Sequence, residues 1–530
     1  MTERIKIVWG DIHLPTLLFC SGCLFPVSYR FSEMSKMIME KWAVAGILIL
    51  FFLCIVSIFQ RKPLMRHPEK ALKTFVLLGL IEIIIAFLQI LGILNSFHPF
   101  FRFTGSFRNP AVFGMMMVLC LSICIFHTIK STGKNRTLWY FLSISFFLCL
   151  SLSESRTCLI AGIYSSFFII FAEIPGFRSR ILNRKILLLI SLGCILLLIA
   201  LYYYKRNSAN GRVLLWIVSM KMIAEKPLLG WGEHGFSSSY MPFQAKFLLE
   251  HPEIGFSYLA DNASHPFNEF LLFSVKYGVM GLTMLFATMF FLIRMALKIK
   301  SPYRILYLSS LLTLFILSMF SFPYTIPMIW LVSTFLFCSI ISIYCIDFPK
   351  THLPMILLFS ICILWIFFQN RYIYKEWQWH KLQVSSAPIK VVHQKYTCLY
   401  KKLCCNPSFL YNYGAWLHHN GYYKESLNIL SECKEVYDDY NVELLIADDY
   451  KQLKETMRAI EEFEYANAMI PSRFLPLYYE MITYEEEGDN INAYRIAQII
   501  VNKPVKIEKS PSVRKIKNEA EIIMLRLQPQ

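Results

Sequence analysis

The stretch SHPFNEFLLF, residues 264–273, sets a His-Pro pair, an Asn and a Glu directly before an apolar run. It closes the longest interruption between the hydrophobic blocks of the chain, so it marks a return into lipid. Outward from it, blocks long enough to cross about 30 Å of hydrocarbon run over 13–29, 42–59, 74–95, 110–129, 138–153, 157–174, 186–204, 277–297, 304–321, 326–346 and 353–371. The spacing predicts an all-α polytopic membrane protein with about eleven transmembrane helices.

Composition agrees. Of 530 residues, 56% are hydrophobic and 17% charged, and the mean hydropathy is +0.46. A soluble domain carries charge nearer about a quarter of its residues. The formal net charge of +17 argues little for nucleic acid, because no basic patch is interleaved with base-stacking aromatics. Lys and Arg collect instead in loops, as they do on the cytoplasmic side of membrane proteins. Most of the fifteen cysteines lie in apolar blocks, where Cys packs as a small hydrophobe. Cys20 and Cys23 form a lone CxxC. Cys398, Cys404, Cys405 and Cys433 stand in the C-terminal region and could pair in an oxidising compartment.

Basic clusters at Arg61–Lys73, Lys130–Arg136, Arg178–Lys185 and Arg294–Arg304 fall on alternate loops. The positive-inside bias therefore puts them, with the N-terminus, in the cytoplasm. The opposite face receives GSFRNP (105–110), SESR (153–156), the long segment 205–266 and everything after residue 371. Two domains are expected: a polytopic part over 1–371, including the loop 205–266, and a helical region over 372–530.

The C-terminal region repeats. Gly414, Leu417, Gly421, Ser426 and Leu430 match Ala447, Tyr450, Lys454, Ala459 and Phe463 in order, and Met481, Tyr484, Gly488 and Ala493 open a third unit. Small residues at helix crossings and a closing Pro resemble the tetratricopeptide repeat. Such helix pairs bury their apolar faces only by stacking on neighbours.

Charged groups at a bilayer edge require a reason. Arg156 either anchors at the interface, paired with Glu154, or clamps an anion, since guanidinium presents a planar fork to phosphate oxygens. Arg212 and Trp216 lie one helical turn apart. Arg212 either snorkels or shares the anion with Arg156. His265 is expected near a helix N-cap with Pro266 at the first helical position. Asn268 and Glu269 then return to its side, and the helix dipole holds the imidazole neutral. Glu233, His234, His251 and Asp261 lack metal-ligand spacing, and Glu82 within a span reads as neutral or paired.

Taken together, GSFRNPAVFG, SESRTCLIAG, NGRVLLW, PLLGWGEHGF and HPFNEFLLFSVKYGVMGL resemble, in order, the O-antigen ligase/polymerase family of bacterial membrane glycosyltransferases, over roughly residues 70–345. The resemblance implies a glycosyltransferase C-like fold in the bacterial inner membrane, with the long loop and C-terminal region in the periplasm. It implies metal-independent transfer, without cofactor, of a glycan from a polyprenyl (undecaprenyl) diphosphate to an acceptor hydroxyl. The acceptor would be a lipid A core sugar, another glycan or a protein. Arg156 and Arg212 would hold the diphosphate and His265 would activate the acceptor. Asn268, Glu269, Arg108 and Trp216 would contact substrate. A protein partner could use the repeats. Two positions depart from the family pattern: Phe267 stands where a second His is common, and Ala111 where an Asn often follows the Pro. A lipid-linked glycan transporter is the rival class, which would call for internal pseudo-symmetry and charges at mid-membrane.

Overall fold

The computed structural model describes residues 33–61, 64, 68–98, 100–107, 109–181, 183, 192–193, 196, 199, 202–203, 206–252, 255–347, 360, 373–506 and 510–527. Among these residues the regular structure is helical throughout. In chain order the helices are α1 (Glu33–Gln60), α2 (Pro68–Ile90), α3 (Pro110–Lys130), α4 (Gly133–Leu152), α5 (Arg156–Glu173) and α6 (Pro175–Ile181). The long loop supplies α7 (Arg206–Glu225) and α8 (Gly235–Glu250). Then come α9 (Glu269–Lys298), α10 (Arg304–Phe320) and α11 (Pro327–Asp347). The C-terminal region holds α12 (Ile373–Gln383), α13 (Ile389–Leu403), α14 (Pro407–His419), α15 (Tyr423–Val436), α16 (Tyr440–Gln452), α17 (Thr456–Met469), α18 (Leu475–Glu486), α19 (Asn490–Asn502) and α20 (Pro511–Arg526).

Among the described residues, six helices are long and apolar enough to cross a membrane: Ala43–Gln60 within α1, and α2, α3, α5, α9 and α11. That is fewer than the eleven expected from hydropathy, for identifiable reasons. The expected spans 13–29, most of 186–204 and nearly all of 353–371 lie outside the described residues. Helix α10 is apolar but has only 17 residues. Helix α4 opens on the polar run GKNRT, which lowers its average.

The chain divides into two compact units. The first comprises residues 1–201, 267–269 and 284–373. Its centre is α3, whose Phe113, Met115, Met116, Met117, Val118 and Cys120 are buried under α2, α4, α5 and α10. In lipid, helices gain nothing from hydrophobic association, so close backbone approach and polar bridges matter. Gly79 of α2 lies against Cys120 and Phe146, and Gly162 of α5 against Leu150; a Cβ at either would meet these side chains within 3.0 Å. Ser122 donates to Ser165 at 3.2 Å, and the Ser57 and Ser342 hydroxyls are 2.6 Å apart.

The second unit comprises residues 202–266, 270–283 and 374–530. The loop 205–266, assigned to the membrane part on sequence grounds, here clusters with the C-terminal helices. The reason is a shared core: Leu214, Val218 and Met222 of α7 and Phe236, Tyr240 and Met241 of α8 pack in one cluster with Ala447, Ala459, Phe463 and Met469. Gln244 Nε2 donates to the Met469 carbonyl at 2.8 Å and the Asp438 amide to the Ser237 carbonyl at 2.9 Å. Helices α14–α19 form three consecutive hairpins. Each hairpin turns through a residue in the left-handed region, Gly421, Lys454 and Gly488. These three are equivalent positions in the 33- to 34-residue spacing of the sequence.

Candidate functional site

In the first unit the two early motifs meet. Asn109 caps α3 through its side chain, accepting from the Ala111 amide at 2.8 Å. Cys158 Sγ lies 3.4 Å from the Ala111 carbonyl, joining the starts of α3 and α5. Thr157 donates to the Phe320 carbonyl at 3.1 Å, which ties in the end of α10. Arg156 is the first residue of α5, directly after this SES turn, and Glu154 in the turn takes a left-handed φ of 56°.

The loop before α3 is held by two polar side chains of α2. Gln89 Oε1 accepts from the Thr104 and Gly105 amides, each at 3.0 Å, and its Nε2 donates to the Gly105 carbonyl at 2.9 Å. Glu82 accepts from the Ser106 amide at 2.8 Å and hydroxyl at 2.6 Å. Glu82, expected to be neutral or paired, is hydrogen-bonded to Ser106. Gln89 was missed, although its place seven residues on, along the same face of an apolar helix, is a legible signal. Gly105 has φ 62°, and a Cβ there would meet Glu82 Oε2 at 2.5 Å. Arg108, the candidate substrate contact of this motif, lies outside the described residues.

Residues 267–269 also belong to the first unit. The helix expected from Pro266 starts instead at Glu269, with Asn268 just before it. The cause is Phe267, whose φ of 53° is left-handed and incompatible with a continuing helix. Phe267 packs edge-on against Phe322 at 5.3 Å. Glu269 Oε1 accepts from the Tyr324 amide at 3.0 Å, and Trp330 Nε1 donates to the Tyr324 carbonyl at 2.7 Å. Glu269 thus ties the start of α9 to the turn between α10 and α11. Phe322 and Tyr324 were not singled out from sequence, because their partners lie more than fifty residues away.

In the second unit the structure brings together Arg212, Trp216 and the His265 segment. Trp216 Nε1 donates to the Pro266 carbonyl at 2.9 Å, which fixes the residue after His265 against α7. His265 titrates below the usual histidine range. Burial is the main cause; the Arg212 charge adds to it against a backbone hydrogen bond that pulls the other way. The expected helix dipole does not act on His265, since α9 starts four residues later. The outcome is still a neutral imidazole, from a different cause.

The motif PLLGWGEHGF is built onto α9. Helix α9 breaks at Gly278, with φ 63° and ψ −164°. The break frees backbone groups that the motif satisfies. The Trp231 and Gly232 amides donate to the Val275 and Lys276 carbonyls at 2.8 and 2.9 Å, and the Val279 amide donates to the Pro227 carbonyl at 2.8 Å. Glu233 pairs with Lys276 at 2.8 Å and accepts from the Tyr277 hydroxyl. Burial works to raise its pKa, but these hydrogen bonds outweigh it and hold the carboxylate ionised. Asp261 pairs with Arg473 at 2.7 Å. Both acids have structural partners.

The model of a family described as O-Antigen ligase matches the chain at residues 114–286. This part of the chain is similar to an O-antigen ligase. The match spans SESR, Arg212, the PLLGWGEHGF turn and His265 through Glu269, while GSFRNP and the C-terminal hairpins lie outside it. No curated protein matches the chain. The similarity points to a ligase- or polymerase-type glycosyltransferase, and the six apolar helices to a multi-pass membrane protein.

Proposed function

We propose that the protein is an O-antigen ligase-like glycosyltransferase of the bacterial inner membrane. It moves a glycan from polyprenyl (undecaprenyl) diphosphate to an acceptor hydroxyl on the periplasmic face, without a metal. The observation that carries this reading is the hold on the His265 segment within the matched region: Trp216 pins Pro266, and burial with Arg212 keeps the imidazole neutral.

In this mechanism His265 accepts the proton of the acceptor hydroxyl. The acceptor oxygen attacks the anomeric carbon, and the bond to the diphosphate oxygen breaks with its electron pair. The leaving group is already anionic, so charge stabilisation and a positioned base are the catalytic needs. Arg156 and Arg212 are assigned to the diphosphate. Asn268, Arg108 and Glu269 are assigned to the sugar. Trp216 acts through Pro266 as a positioning residue. In the proposed architecture the polytopic part has about eleven spans, and the C-terminal hairpins are tetratricopeptide-like and periplasmic.

A lipid A core sugar is the proposed acceptor. The test is a deletion strain analysed for where glycan is lost. Loss of glycan from lipopolysaccharide supports a ligase. Shortened chains would reassign the protein as a repeat-unit polymerase, and loss from glycoproteins as a protein O-oligosaccharyltransferase. Intact surface glycans of all three kinds would refute the transferase reading.

A further inference from the structure

Helices α12 and α13 carry a charge pattern that the proposed transfer does not use. Residues 373–403 contain six lysines (375, 381, 390, 395, 401 and 402) and one acidic residue, Glu376. Among the described residues none of these lysines forms an ion pair. Lys375 contacts the Gln378 amide at 3.0 Å, and Lys381 lies 3.7 Å over the Trp377 ring. Between the two helices runs a groove of about 620 Å³, lined by Lys375, Trp377, Lys381, Val391, Lys395 and Cys398.

Beside the lysines the hairpin exposes aliphatic and aromatic surface. Val384 is 86% exposed, Tyr374 62% and Ile389 53%. The inner face is fully used: Val392, Tyr396 and Leu399 are buried, and Trp379 donates to Asn412 Oδ1 at 2.8 Å. The exposed apolar residues are therefore not left over from an unfinished core.

Position in the chain says what this surface meets. It begins two residues after the apolar segment 353–371. It also belongs to the unit that contains the long loop, and in the proposed topology both lie on the same side of the membrane. Positive-inside bias places the other basic clusters on the opposite side. Six unpaired lysines on the loop side run against that bias and need a counter-charge.

We propose that the α12–α13 hairpin docks on the membrane surface and that its lysine groove binds the phosphate headgroup of an anionic phospholipid. The exposed Val384 and Ile389 enter the acyl boundary while Tyr374 and Trp377 sit at headgroup depth. A juxtamembrane lysine near an anionic surface is worth about a fivefold gain in association.

The full-length protein is placed in nanodiscs of phosphatidylcholine alone or mixed with phosphatidylglycerol, and hydrogen exchange is followed over residues 373–403. Slower exchange in the anionic discs, reversed by high salt, is expected. Lys381→Gln and Lys395→Gln should each cut this protection by about fivefold. Lys381→Arg should retain it, and unchanged exchange in α14–α17 reports an intact fold. Equal exchange in both discs overturns the proposal, as does protection that survives both Gln substitutions. Protection that appears only on adding a soluble phosphorylated sugar also overturns it. Glycan transfer is not read, so failure here leaves the transferase reading standing.

Discussion

The indole of Trp216 donates to the carbonyl of Pro266 at 2.9 Å, so a residue of α7 sets the backbone on which His265 stands. Trp216→Phe keeps the ring and removes the donor. A hydrogen bond of this kind contributes about 1 kcal/mol net, so transfer should slow about fivefold. The fall should appear in kcat, with KM for the donor little changed, because the interaction positions the base. A KM effect alone would reassign Trp216 to donor binding.

The pH profile tests the electrostatics of the same segment. His265 is held below the usual histidine range, by burial first and with Arg212 adding to it. As a base it must be neutral, so transfer should keep more than half of its plateau value at pH 6.5, the ordinary histidine value. Arg212→Gln removes a charge that lowers the pKa. The acid limb of the residual activity should then move to higher pH. An acid limb unmoved by the substitution would separate Arg212 from His265.

The break in α9 predicts a structural failure at one glycine. Gly278 has φ 63° and ψ −164°, and a Cβ there would meet the Leu228 carbonyl oxygen at 2.2 Å. Gly278→Ala should cost about 2 kcal/mol or more. It should also loosen the PLLGWGEHGF turn, seen as faster hydrogen exchange at Trp231 and Gly232. Unchanged exchange would show that the turn does not depend on the break.

A buried acid cluster makes the loop-and-hairpin unit sensitive to pH. Burial, and then the Asp438 charge, push Glu443 from 4.5 up to about 7. Asp438 is raised to about 6 and Glu462 to about 7, both chiefly by burial. Lys434 lies 2.7 Å from Glu443. A raised carboxyl pKa means that the folded state binds the proton more tightly than the unfolded state. The stabilisation is complete below the unfolded value and is lost as pH rises through the folded one. Stability of this unit should therefore fall between pH 4.5 and about 7, no more steeply than about 1.4 kcal/mol per pH unit for each group. Glu443→Gln should flatten the decline in the melting temperature. An equally steep decline in the variant would place the proton elsewhere.

What could be read in the sequence was whatever depends on local pattern. Among the described residues the apolar blocks became helices, and the block beginning at 110 became α3. Arg212 and Trp216 fell on one helix because their spacing is one turn. What could not be read came from contacts far apart in sequence. The start of α9 was misplaced because Pro266 is a good first helical residue and nothing local signals the left-handed Phe267; its packing on Phe322 does. The loop was grouped with the membrane part because its helices look interfacial alone. They bury Tyr240 and Met241 against a hairpin some two hundred residues on.

The most direct test of the central claim is the rate at which purified full-length protein releases polyprenyl diphosphate from a lipid-linked glycan in the presence of acceptor. With His265→Ala, the rate should fall by about 10²-fold or more, while donor binding and hydrogen exchange over 206–283 stay as in the parent. Parental turnover in that variant would contradict the account.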